Sequence, residues 1–475
     1  MQAEPQLVNL GQVWQSSVDR GAFLDRGHDG SDGRLSVRNG HIVNKEYDVI
    51  VVGSGPGGAG VAREMSRKGR KVLLIEKGGY IKRMGSTLSV SLMSEGFGLT
   101  RSREKNWVLR VANCGGASNL AAGCAIPPPR EVFDPVGVNL EAEAEEAREE
   151  LWIGELPDDL VGQANLRLLE AANELGYNWH KMENFIDAEK CVPNCPLCTL
   201  GCRRGAKWTA RVYVEEAVDE GAELLLHTKV QQVLVEDGKA VGVIARNGRQ
   251  DRRFHGKSVV LSASMGNTPI LRRSGISEAG RGFACDYAQF VGGISKHIKT
   301  LRANPMTVGT LEHYRSDGFI ILPMFHGLAG FAVELARTGP QHLRKLPNFW
   351  RLTGIMVKIK DELQGDIYED EDFSKPVTAN DRARLGKGVE IAKRILRKVG
   401  CRDDSLFVTN PLGSPPSASC RIGDVVDANL QTRIPGLFCC DSSVFPESLG
   451  LPGVWTIVSL GKRLSKHLEE MLTRG

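Results

Sequence analysis

Apolar positions along the chain follow two different periods. Tyr47-Asp48-Val49-Ile50-Val51-Val52 is a short, nearly unbroken apolar run, the pattern of a buried strand. A glycine-rich turn follows, then Val61, Ala62 and Met65 at helical spacing, then a second apolar run from Lys71 to Ile75. Strand, turn, helix and strand in that order predict a βαβ unit. Further on, Asn139 to Leu151 is acidic and helical. Pro157 to Leu175 repeats apolar residues at helical spacing (Leu160, Ala164, Leu168, Ala171, Ala172, Leu175), with Gly176 at the stop position. Thr209 to Glu220 predicts a helix ended by Gly221. Strands are expected at Glu223 to His227, Val230 to Glu236 and Ala240 to Ala245, the last two joined by an Asp237-Gly238 hairpin turn. Ser258 to Ala263 is one more apolar run. From about Phe283 to Ile367 the pattern predicts strands and irregular loops. Within it the uncharged stretch from Gly318 to Val333 is expected to be two buried strands meeting at a turn, since it contains Pro323 and falls short of the ~20 residues of a membrane span. Asn380 to Val399 is helical, Leu437 to Cys440 a short strand, and a terminal helix follows Trp455. Met1 to Glu46 forms an arm with turns at Asp29-Gly30 and Asp32-Gly33.

Composition narrows the function classes. A chain of 475 residues with 41% apolar and 25% charged residues is an ordinary globular protein, long enough for two domains. Net charge is only +4 with both signs mixed, which gives no support for binding nucleic acid. The first 44 residues carry no apolar leader, so a cytoplasmic location is expected, without a transmembrane span. The 11 cysteines are an odd number, and thiols or metal-bound thiolates are expected in place of a disulfide framework.

The strongest chemical signal is Gly53-Ser54-Gly55-Pro56-Gly57-Gly58, a G-x-G-x-x-G pattern that follows a strand and opens a helix. Gly53 allows the tight turn, Gly55 lets backbone approach a pyrophosphate, and Gly58 lets helix and strand pack closely. Pro56 and Gly57 open the helix, whose amino end attracts phosphate. Glu76 ends the second strand, where a carboxylate accepts hydrogen bonds from a ribose diol and repels a 2′-phosphate. The fingerprint by itself fits FAD or NAD.

From Tyr47 to the C-terminus the sequence resembles the glucose–methanol–choline (GMC) oxidoreductases, FAD enzymes that oxidise alcohols. Besides the N-terminal motif, Cys114-Gly115-Gly116-Ala117-Ser118-Asn119 is similar to the family's loop beside the flavin pyrophosphate and ring. Val260 to Pro269 is similar to the stretch in which a strand, here with Ala263, meets the FAD. Gly436-Leu437-Phe438-Cys439-Cys440-Asp441-Ser442-Ser443-Val444-Phe445-Pro446 is similar to the family's C-terminal motif. The likeness implies that Asp441 and Ser442 serve the ribitol or pyrophosphate, that Gly453 and Val454 lie in a segment facing the isoalloxazine ring, and that Val230 holds the adenine through its backbone. It also implies an α/β fold: a Rossmann-like FAD-binding domain built from residues 47–132, 185–276 and 407–475, with an interleaved α+β substrate domain from 133–184 and 277–406.

The sequence departs from that family at the chemistry. Where a His that takes the alcohol proton is expected, the chain has Asn410-Pro411-Leu412-Gly413, and Pro452 stands at the second polar position. No histidine lies between His342 and His467. Glu447 is the first substitute base and His326 a weaker one; Asn410 keeps the expected place of the His. Either another residue acts as base or the reaction is not ordinary alcohol oxidation.

Cys191-x3-Cys195-x2-Cys198-x3-Cys202 is dense enough for four thiolates around one centre, either an iron–sulfur cluster or a structural zinc, with free thiols or disulfides as the remaining option. An iron–sulfur cluster there passes electrons from flavin to an acceptor protein or quinone. Three functions therefore stand. The first is an FAD-dependent dehydrogenase acting on a small hydrophobic alcohol or related C–H substrate, with an acceptor other than oxygen. The second is an FAD-dependent C=C reductase, desaturase or isomerase. The third is a non-catalytic electron-transfer flavoprotein.

Overall fold

Val49, Ile50 and Val51 are wholly buried because their strand, Glu46–Val52, runs through the middle of a seven-stranded sheet. Its neighbours are Val72–Ile75 on one side and Gln250–Leu261 on the other, both parallel to it. Glu223–Leu225 extends the parallel side, and Lys239–Asn247 and Lys229–Glu236 continue antiparallel from the other. Leu437–Cys439, from the far end of the chain, pairs parallel with Gln250–Leu261. Strands buried on both faces read as continuous apolar runs, which is why this part of the sequence was legible. The computed structural model describes residues 46–86, 88–90, 94–195, 197–297, 303–325 and 327–474; the N-terminal arm expected at 1–46 lies outside them except for Glu46, which opens the first strand.

Three helices cover one core. Pro56–Arg67 packs against Ala210–Asp219 and against the C-terminal helix Val454–Arg474. Arg63, buried between them, pairs with Glu64, Glu150 and Glu216 and stacks 4.1 Å from the Tyr213 ring centroid. Lys462 of the C-terminal helix, equally buried, reaches Glu64 and Glu150 from the other side. A buried charge left alone costs several kcal/mol, so each member of this network fixes the position of the others.

The second seven-stranded sheet runs Phe319–Pro323, Leu352–Ile359, Tyr287–Ile294, Leu412–Gly413, Trp107–Val111, Ser94–Arg101, with Phe407–Val408 pairing off Tyr287–Ile294. All eight residues of Leu352–Ile359 are buried, and the 20-residue helix Ala379–Lys398 lies across it. This sheet and its helices enclose a separate apolar core. The mixed α/β architecture agrees with the sequence reading.

Three expectations are corrected. The stretch expected as two strands is one strand, Phe319–Pro323, followed by a helix, Leu328–Thr338. The segment Pro340–Arg351, expected as loop or strand, is 3₁₀-helical. The helix expected over Pro157 to Leu175 is two, Asp158–Val161 and Gln163–Glu174, because Gly162 takes φ +83° between them.

Candidate active site

The G-x-G-x-x-G turn adopts the geometry that its glycines permit. Gly53 has φ +99°, and a Cβ there would lie 2.2 Å from the Ser262 carbonyl oxygen. A Cβ on Gly57 would lie 1.8 Å from the Cys440 carbonyl oxygen, and one on Gly58 2.0 Å from that of Gly53. These positions are closed by backbone. Gly55 differs: a Cβ there meets nothing within 4 Å. It is the N-cap of Pro56–Arg67, no side chain caps that helix, and its first turn has no acidic residue. The helix dipole and first-turn amides therefore face open space suited to an anion.

Glu76 organises the turn. Its Oε2 accepts from the Ser54 amide (3.1 Å) and Ser54 Oγ (2.7 Å), and its Oε1 from the Gly78 amide (2.7 Å). Ser54 Oγ in turn accepts from the Gly115 amide at 3.2 Å, which joins the second glycine loop to the first. Gly116 comes so close that its Cβ would be 3.0 Å from Gly55 Cα. The loop is held from beneath by Lys207, a buried side chain whose Nζ donates to the carbonyls of Ser118, Asn119, Ala121 and Cys198 at 2.6–3.2 Å. Burial pushes the Lys207 ammonium down to about 8.

A cavity of about 540 Å³ runs along these loops. Gly53, Gly55, Pro56, Glu76, Gly116, Ser118, Val230, Ala263, Asp441, Ser442, Gly453 and Val454 all line it. The predicted cofactor residues thus come together from five separated parts of the chain. Gly57, Gly58, Gly115 and Asn119 do not line it; they pack the loops that do, Asn119 through a bond from Nδ2 to the Cys114 carbonyl. Asp441 lines the cavity, and its carboxylate is oriented by protein donors: Oδ2 accepts from the Ser264 amide and Asn267 Nδ2, and Oδ1 from the Ser443 amide. Burial raises its carboxyl pKa. Asn113, also on the wall, has a buried Oδ1 with no protein partner, an acceptor available to a ligand. The open cradle at Gly55, the uncapped helix and this acceptor fit an adenine dinucleotide.

Comparisons with known proteins decide which one. Residues 95–299 match the family described as GMC oxidoreductase. Over that segment, less than half of the chain, it resembles the GMC oxidoreductases. It is 28% identical to an uncharacterized protein of Methanocaldococcus jannaschii over 430 residues, 89% of this chain and 100% of that one. It is 23% identical to a long-chain-alcohol oxidase of Arabidopsis thaliana over 540 residues, 94% of this chain and 71% of that one. Its fold superposes on the crystal structure of a pyridoxine 4-oxidase from Mesorbium loti with a TM-score of 0.67 at 16% identity, covering 90% of this chain and 99% of the other. These likenesses mark it as an FAD-dependent oxidoreductase.

Beyond the cradle the same cavity widens into an apolar chamber walled by Leu109, Met306, Met324, Met356, Leu412 and Leu451. The chain has no His at either position that the likeness gives to the proton-taking pair. Asn410 is exposed and outside the cavity lining, Glu447 is held by Lys360 away from it, and His326 lies outside the described residues. Lys358, which sequence reasoning missed, does line the chamber. It is buried, pairs with buried Asp286 at 3.1 Å and donates to the Ser414 carbonyl at 2.8 Å. Asp286 Oδ1 accepts from Ser448 Oγ and the Gly450 amide, just before the segment that lines the cavity at Leu451 to Val454. Glu334 also lines the cavity, from the helix that the pattern misread as a strand.

The cysteine loop brings its four thiols within electrostatic reach of one another. Cys191, Cys195, Cys198 and Cys202 are all free thiols, and among the described residues no three His, Cys, Asp or Glu side chains form a group that could hold a metal. Cys198 is buried, and that burial pushes its thiol pKa up to about 12. The loop also reaches the cavity, which Thr199 and Leu200 line.

Proposed function

We propose that this enzyme oxidises a hydrophobic alcohol, or a related substrate with an activated C–H bond, by hydride transfer to FAD. The observation that carries this reading is the methionine- and leucine-walled chamber continuous with the flavin cradle, with one buried cation in its wall. When bound, FAD supplies the two-electron acceptor. The Gly55 amide end would hold the pyrophosphate, Asn113 and Ser118 its flanks, and the segment at Gly453 and Val454 the ring. Apolar walls exclude water and strengthen every charge interaction within them. The three Nζ donors of Lys358 are directed to Asp286 and Ser414, so it acts through its field: a fixed positive charge favours loss of the alcohol proton and the alkoxide that results. Glu334 is the carboxylate on the substrate side that accepts such a proton. The second reading, C=C chemistry, draws support from Pro452 standing where a polar residue would serve alcohol oxidation. The acceptor is read by assay: oxygen uptake in air against quinone reduction under argon.

Anaerobic addition of primary alcohols of increasing chain length is expected to bleach the flavin band, with the longer chains effective at lower concentration. Bleaching by dithionite alone, with every alcohol inert, would remove the proposal and leave the C=C reading.

A further inference from the structure

Several large apolar side chains stand in solvent on one side of the substrate domain. Leu88, Leu328 and Trp350 are 70, 54 and 54% exposed, and Leu343 37%. Single exposed leucines are unremarkable on protein surfaces, but these share a place and a pattern. Leu343, Pro347 and Trp350 recur at helical spacing along Pro340–Arg351, all exposed, while Lys345 between them is buried. Phe349 turns inward and contacts Phe331 at 5.9 Å, which fixes this stretch against Leu328–Thr338. At the start of that helix, Gly327 lies against Leu200, a cavity-wall residue. The carbonyl of Leu200 accepts from the Gly85 amide at 2.9 Å, three residues before Leu88. Val90 and Glu334, from the same two segments, line the cavity itself.

The exposed apolar residues therefore border one rim of the substrate chamber. Charge completes the pattern. Arg83, Arg203, Arg344 and Arg351 are exposed on the same segments or beside them. Arg203 touches the Gly85 turn. Tryptophan and leucine flanked by arginine is the composition that settles in the headgroup layer of an anionic bilayer. No helix among the described residues is long and apolar enough to cross a membrane, so contact of this kind is peripheral.

We propose that this rim docks on the surface of an anionic phospholipid membrane, with the chamber mouth against the lipid. The partner is the bilayer; that the chamber draws its substrate from it rests on the apolar-substrate reading above, and vesicle binding is measured without any substrate. Holoenzyme is mixed with vesicles of phosphatidylcholine alone or with phosphatidylglycerol added, and sedimented. Wild type is expected to sediment with the anionic vesicles and to be released by salt. The Leu343→Ser/Trp350→Ser variant should lose about tenfold in partition with its flavin content unchanged. Brominated lipid should quench wild-type fluorescence more than that of Trp350→Phe. Wild type remaining in the supernatant with both vesicles, or the double variant binding as wild type does, overturns the proposal. So does self-association through this face, seen by sedimentation velocity, without vesicle binding. Alcohol oxidation could stand after any of these failures.

Discussion

Gly55 and Gly57, two residues apart in one motif, make opposite predictions. A methyl group on Gly57 collides with the Cys440 carbonyl at 1.8 Å, whereas on Gly55 it enters open space. Gly57→Ala is expected to lower unfolding free energy by about 1–3 kcal/mol, the usual cost of overpacking. Gly55→Ala should unfold as wild type does yet release FAD more readily, because the methyl occupies the phosphate approach. Chemical denaturation and fluorescence of released flavin separate the two effects. Lys358 is testable in the same manner. Lys358→Met leaves Asp286 buried and unpaired, at a cost of about 3–5 kcal/mol; adding Asp286→Asn should restore much of that stability. With folding restored, alcohol turnover should still be about a hundredfold down at unchanged flavin content, the size of losing one fixed charge in a dry site. Lys207 gives a pH signature. Its folded pKa of about 8 lies below the ordinary 10.5, so between those values the unfolded chain binds more protons. Stability from this residue therefore rises with pH from about 8 to 10.5. Wild type compared with Lys207→Met across that range should diverge in favour of wild type. Sequence spacing exposed the glycines because their backbone geometry is local; it could not expose Lys358, whose partners at 286 and 414, and the 448–450 turn that holds Asp286, are distant in the chain.

Helices were legible where a polar face alternates with an apolar one. Ala379–Lys398 was placed to within a residue, because lysines and arginines mark its wet side and buried Leu385, Val389, Ala392 and Leu396 its dry one. Its start carries a full capping box: Thr378 Oγ1 accepts from the Asp381 amide and Asp381 returns a bond to the Thr378 amide. Thr378→Ala should cost about 1 kcal/mol, measured as a lower denaturant midpoint at unchanged slope. Leu328–Thr338 was misread for the opposite reason. Its residues Leu328 to Val333 have no charge to mark a face, and it follows directly on a true buried strand. Glu334, the first charge, falls inside that helix and points to the cavity side, so the one polar cue was itself part of the site. The cysteine loop was legible as a cluster from its spacing alone: Cys198 is packed inward at Lys207, and the other three, half-buried, lie within electrostatic reach of it.

The two sheets are each assembled from pieces far apart in sequence. The chain enters the dinucleotide sheet at Glu46, leaves to build the other sheet, returns at Glu223, departs again at Tyr287 and comes back at Leu437. That interleaving was foreseen only through family likeness; hydrophobic periodicity is silent on which strands pair across hundreds of residues. The closing contact is Gly57 against Cys440, where the start and the end of the fold meet at backbone distance. During synthesis the glycine turn leaves the ribosome early but finds its wall only when the last segment has followed. A nascent chain stalled before Leu437 should hold no flavin, and cells short of the vitamin should accumulate full-length polypeptide whose protease-sensitive tail is the C-terminal helix.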